Sequence, residues 1–60
     1  MGKEKVIKIL MDRDNVDRNE AEILINETVD EMIQYPMEAD EIIMNYLGLE
    51  PDYIEDLIGY

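Results

Sequence analysis

Sixty residues make one domain at most, and its core must be thin, because so short a chain buries only about 60% of the surface that its unfolded form exposes. The absence of Cys and His removes disulfides and thiolate metal sites, together with the commonest catalytic base and transition-metal ligand. A hydrophobic content of 47% excludes a disordered acidic tail, and a formal net charge of −11 disfavours direct binding to nucleic acid or anionic membrane and favours cationic partners.

The first predicted element covers residues 3–12, KEKVIKILMD. Val6, Ile7, Leu10 and Met11 share one helical face, with Lys5 and Lys8 away from it. The run from Val6 to Leu10 is also rich in β-branched side chains, which suit a strand. No other stretch reads as its partner strand, so the prediction is a helix. Residues 13–16 then form a turn, because Asp14 and Asn15 carry short side chains that bond their own backbone and tolerate unusual φ. Asp17 is placed as an N-cap, Glu20 completes a capping box, and Val16 sits where it can staple against Ala21 or a neighbour.

Residues 17–34 are the longest amphipathic stretch and organise the rest. At ~100° per residue, Ala21, Leu24, Ile25, Thr28, Val29 and Met32 form an apolar stripe. Thr28 is expected to bond the carbonyl one turn back in its own helix. Pro36 ends the stretch near Gln34, since it disfavours α geometry at Tyr35 and lacks an N–H. It suits the first turn of a third helix, residues 37–47, whose inward face would carry Ala39, Ile42, Ile43, Tyr46 and Leu47. Gly48 is the expected left-handed stop, with Leu49 folding back. Pro51 opens a last helix, residues 52–58, with Ile54, Leu57 and Ile58 inward, Tyr53 flanking and Gly59 fraying the end. The expected fold is therefore all-α: one acidic domain over residues 1–60, a bundle of three to four short helices at about 3–12, 17–34, 37–47 and 52–58.

The segments MDRDNVDRNEAEILI (residues 11–25) and YLGLEPDYIEDLI (residues 46–58) resemble small acidic helical proteins of bacteriophages and mobile elements of Gram-positive bacteria. That group tends to have Gly where this chain has Asn15. The resemblance rests on cap and turn motifs. It implies a helical fold, but no defined activity and no functional residues to carry over.

No apolar run approaches the ~20 residues that span a bilayer, and the charged N-terminal stretch does not read as a signal peptide. Met1-Gly2 begins like an acylation motif, but Val6 stands where Ser or Thr is wanted. Cytoplasmic location is the expectation. Asp12, Asp14, Asp17 and Glu20 suggest calcium, yet an EF-hand loop counted from Asp12 puts Val16, Asp17 and Ile23 in three required slots. The acids read better as turn and cap, so no metal or other cofactor is expected. Catalysis is not expected either, because there is no Ser, Thr28 lies on the apolar stripe, and no His or Cys can activate a nucleophile.

Charge is distributed unevenly. Lys3, Lys5, Lys8, Arg13 and Arg18 all lie in the first 18 positions, beside four acids, whereas residues 19–60 carry twelve acids and no base. The central helix lacks the cations of a DNA-reading helix after Arg18, so direct nucleic-acid binding is disfavoured. Some apolar residues fall off their stripes: Ile23, roughly 180–200° from the central one, and also Ile9 and Met44. With Tyr53 and Tyr60 among acids, they suggest an apolar patch rimmed by carboxylates. Met11 and Met32 are expected to fill an irregular core. The expectation is a non-catalytic protein-interaction module, possible partner residues being Ile23, Glu27, Asp30, Glu31, Glu41, Met44, Asp52, Tyr53, Glu55 and Asp56. Its partner would be a basic protein, in one form a nucleic-acid-binding protein whose ligand the carboxylates imitate. The alternative is a helical homo-oligomer, a homodimer for example, that buries its N-terminal helix between copies and is acidic for solubility.

Overall fold

The computed structural model describes residues 2–58, so the expectations for Met1, Gly59 and Tyr60 lie outside the described residues. Four α-helices follow in order: α1 (Gly2–Asp14), α2 (Arg18–Gln34), α3 (Ala39–Leu47) and α4 (Ile54–Ile58). Short 3₁₀ turns, Pro36–Glu38 and Pro51–Tyr53, lead into α3 and α4. There is no strand among the described residues, so the β-branched run of α1 is helical. The helices fold into a small all-α bundle of 30 × 21 × 17 Å, two helices thick across its narrower directions.

α2 is the centre of the packing. Its Ala21, Ile25, Thr28 and Met32 are buried against Val6, Ile7 and Leu10 of α1 and against Ile43 and Leu47 of α3. Val6, Ile7 and Leu10 of α1 are thus covered within one chain. Thr28 is fully buried, and its hydroxyl donates to the Leu24 carbonyl at 2.8 Å. That bond spares the core an unpaired polar atom. α4 closes the open side of α1. Gly2 lies so close to it that a Cβ there would fall 2.6 Å from both Cα and the carbonyl oxygen of Asp56.

The ends of the helices follow from their residues. α1 runs two residues beyond the expected end, through Arg13 and Asp14, and stops where Asn15 enters the left-handed region at φ 57°. Asp17 caps α2 by accepting from the Glu20 N–H at 2.8 Å. Among the described residues, the reciprocal bond of a full capping box, the Asp17 N–H donating to the Glu20 carboxylate, is not formed. α2 ends at Gln34, as Pro36 requires. α3 starts at Ala39, not at residue 37, because the Pro36 turn closes with an i→i+3 bond, Glu38 N–H to the Tyr35 carbonyl at 2.9 Å. Pro51 acts in the same way before α4, where the Tyr53 N–H donates to the Glu50 carbonyl at 3.1 Å. Gly48 ends α3 in the left-handed conformation at φ 66°, and Leu49 folds back into the core.

Three side chains depart from the expected pattern. Tyr46 is 50% exposed rather than inward, because it lies along the flank of α2 while Ile43 and Leu47 fill the contact beneath. Met11 is at the surface, so Met32 alone of the pair fills the core. Ile9 is partly buried against the core rather than off it.

Candidate interaction surface

Four of the five cations are engaged inside the fold. Lys3 donates to the Asn26 side chain at 3.3 Å. Lys5 sits 3.6 Å from the Asp56 carboxylate and 5.3 Å from the centre of the Tyr53 ring, which pins α4 to α1. Arg18 bridges Glu4 of α1 and Glu22 of α2. Arg13 is held by both oxygens of Asp14 and donates to the Leu47 and Gly48 carbonyls at 2.6 and 3.2 Å. It thereby supplies the positive charge that the last turn of α3 lacks. These bonds hold the Glu4 and Asp14 carboxyls below their ordinary values, chiefly through the guanidinium hydrogen bonds of Arg18 and Arg13.

The acids beyond Glu22 are arranged differently. Among the described residues, Asp56 alone of them forms an ion pair, and the others have no basic neighbour within salt-bridge distance. One cluster lies on the flank of α2 that faces α3. Glu27, Asp30 and Glu31 join Gln34 and Tyr46 around an open groove of about 440 Å³ between α2 and α3. Its carboxylates accept hydrogen bonds, and the exposed Tyr46 ring offers a π face, so the lining suits an ammonium or guanidinium group. Ile23 extends the same ridge one turn before Glu27 and is 50% exposed.

The residues selected from sequence therefore divide into groups. Ile23, Glu27, Asp30 and Glu31 share the α2 ridge. Met44 is 56% exposed but lines a separate apolar hollow with Leu49 and Pro51. Glu41, Asp52 and Glu55 are exposed on α3, the second 3₁₀ turn and α4. Tyr53 and Asp56 are partly buried and face Lys5 of α1. Sequence reasoning missed Gln34 and Tyr46. Gln34 was detectable, since it lies at i+7 from Glu27 and i+4 from Asp30 on the same ridge. A second apolar hollow, at the junction of α2, α3 and α4, was also missed.

Among the described residues, no three His, Cys, Asp or Glu side chains converge as a metal-holding group, and no helix is long and apolar enough to cross a membrane. The fold defines the class: a small, strongly acidic helical bundle with an unpaired anionic side. Comparison with protein families, curated proteins and solved structures gives no match.

Proposed function

We propose that this protein is a non-catalytic interaction module whose acidic side, centred on Glu27, Asp30 and Glu31, binds a basic protein. The observation that carries the reading is the unequal use of charge. Lys5, Arg13 and Arg18 are in ion pairs within the fold and Lys3 bonds Asn26, while the α2–α3 side beyond Glu22 keeps its carboxylates without a basic neighbour among the described residues. Gathering like charge destabilises a compact chain through self-repulsion, and it steers a partner of opposite charge. One form of the reading is imitation of nucleic acid, with carboxylates along α2 standing where phosphates lie in the binding groove of a basic protein.

The test is competition. A basic DNA-binding protein, held on labelled duplex DNA at ~0.1 M salt, is challenged with this protein and with its Glu27→Gln/Asp30→Asn/Glu31→Gln variant. Release by the wild type and a large loss of release by the variant support the proposal. Failure of a panel of basic proteins to bind, or equal action of the two forms, contradicts it.

A further inference from the structure

We infer that the apolar hollow where α2, α3 and α4 meet receives the apolar side chains of a cationic amphipathic helix supplied by the partner. The hollow measures about 370 Å³. Buried Met32 forms its floor, Ile33, Pro36 and Ala39 form one side, and Ile54 and Ile58 the other. Ile33 is 63% exposed, and the adjacent Met37, on the 3₁₀ turn, is 96% exposed. A bundle this small thus leaves apolar surface unpartnered where α2, α3 and α4 converge.

The charges around the hollow select its occupant. Asp40 lines it directly. Asp30 lies one turn before Ile33, and Glu55 one turn before Ile58. None of the three is in an ion pair among the described residues, and no cation lines the hollow. A second copy of this chain, with its net charge of −11, would bring like charge against that rim. A helix with Leu-type side chains at i, i+3, i+4 and i+7 and Lys or Arg on its flanks satisfies both the apolar floor and the acidic rim. The inference rests on the acidic-module reading and adds an anchor to it: carboxylates attract the partner, and the hollow fixes where it sits.

Two short synthetic helical peptides separate these roles. One places Leu at i, i+3, i+4 and i+7 between lysines; the other keeps every Lys and replaces each Leu with Gln. Each is titrated into isotopically labelled full-length protein at the same salt. The Leu–Lys peptide is expected to bind at least about tenfold tighter, because burying an aliphatic side chain is worth that factor or more. Amide shifts should centre on Ile33, Ala39, Ile54 and Ile58. Ile33→Asn, at an exposed position, should erase the advantage while leaving both the melting curve and the Gln–Lys affinity unchanged. Equal binding of the two peptides, with shifts at Glu27, Glu31 and Tyr46 but none at Ala39, Ile54 and Ile58, overturns the inference and leaves the acidic reading standing. Binding of neither peptide overturns both. A dimer in sedimentation that Ile33→Asn dissociates also overturns it, by assigning the hollow to a second copy.

Discussion

Replacing Arg13 with Met should destabilise the fold more than any comparable change to a surface cation. The guanidinium holds the end of α3 from 34 and 35 residues away in sequence, through bonds of 2.6 Å to the Leu47 carbonyl and 3.2 Å to the Gly48 carbonyl. Hydrogen bonds to a charged group contribute about 1.5–3 kcal/mol when sheltered. The Arg13 side chain is 42% exposed, so water screens part of this, and about 1–2 kcal/mol for the two contacts together is the expected loss. In a domain of this size, a loss of about 1.5 kcal/mol lowers Tm by roughly 6–12 °C. Met keeps much of the aliphatic packing of Arg, so the loss reports on the bonds. Arg18→Met is the matched control. Either substitution takes the net charge from −11 to −12, but Arg18 holds only exposed carboxylates. Urea unfolding at pH 7 with a shared m-value should place Arg13→Met clearly below Arg18→Met, and amide exchange should accelerate first at Gly48 and Leu49. Equal losses in the two variants, or unchanged exchange at the end of α3, would refute the idea that Arg13 caps that helix.

Further expectations concern backbone and protonation. Helix propensity alone predicts that Gly2→Ala stabilises α1, by less than the ~0.5–1 kcal/mol of a helix interior because Gly2 is its first residue. The 2.6 Å approach to the Asp56 backbone predicts the opposite sign, a loss of about 1–3 kcal/mol readable in a thermal melt. Asn15→Gly should be neutral or stabilising and Asn15→Ala destabilising by about 1–2 kcal/mol, since φ is 57° there; equal stability of the two variants would contradict the left-handed turn. Glu4 and Asp14 are held below their ordinary values of 4.5 and 3.8, so their contribution is present above those values and disappears as pH falls through the lowered folded ones. The stability gap between wild type and a Glu4→Gln/Asp14→Asn variant should therefore close as the medium is taken below about pH 4. A gap that persists in strong acid would mean that the ion pairs do not cause it.

Much of the fold was legible because local chemistry and tertiary packing agree. Asp17 and Pro36 bracket α2, and Gly48 stops α3 with Leu49 turned inward, as side-chain and φ preferences require. The misreadings arose where local rules allow two outcomes. Asp14 and Asn15 both suit a turn, but the turn waits for Asn15 because the side chain of Asp14 is occupied by Arg13. Pro36 and Pro51 suit the first turn of an α-helix equally well as a 3₁₀ turn. Tyr46 lies on the expected inward arc, yet its bulk is accommodated at the α2 flank, which helical periodicity alone does not reveal. The site was half legible. Charge segregation is visible in the residues, and the α2 ridge follows from helical spacing. The diversion of Tyr53 and Asp56 to Lys5, and the hollow below Ile33, depend on how distant helices meet.

The account depends most on the acidic side of α2 attracting cations by charge alone. The direct measurement is the affinity of the Leu-free Gln–Lys peptide for wild type and for the Glu27→Gln/Asp30→Asn/Glu31→Gln variant, followed from ~0.1 M to ~1 M salt as the screening length contracts from about 10 Å to about 3 Å. The prediction is binding to the wild type that falls steeply with salt, and weak binding to the variant throughout. Affinity indifferent to salt, or the same in both proteins, would contradict it.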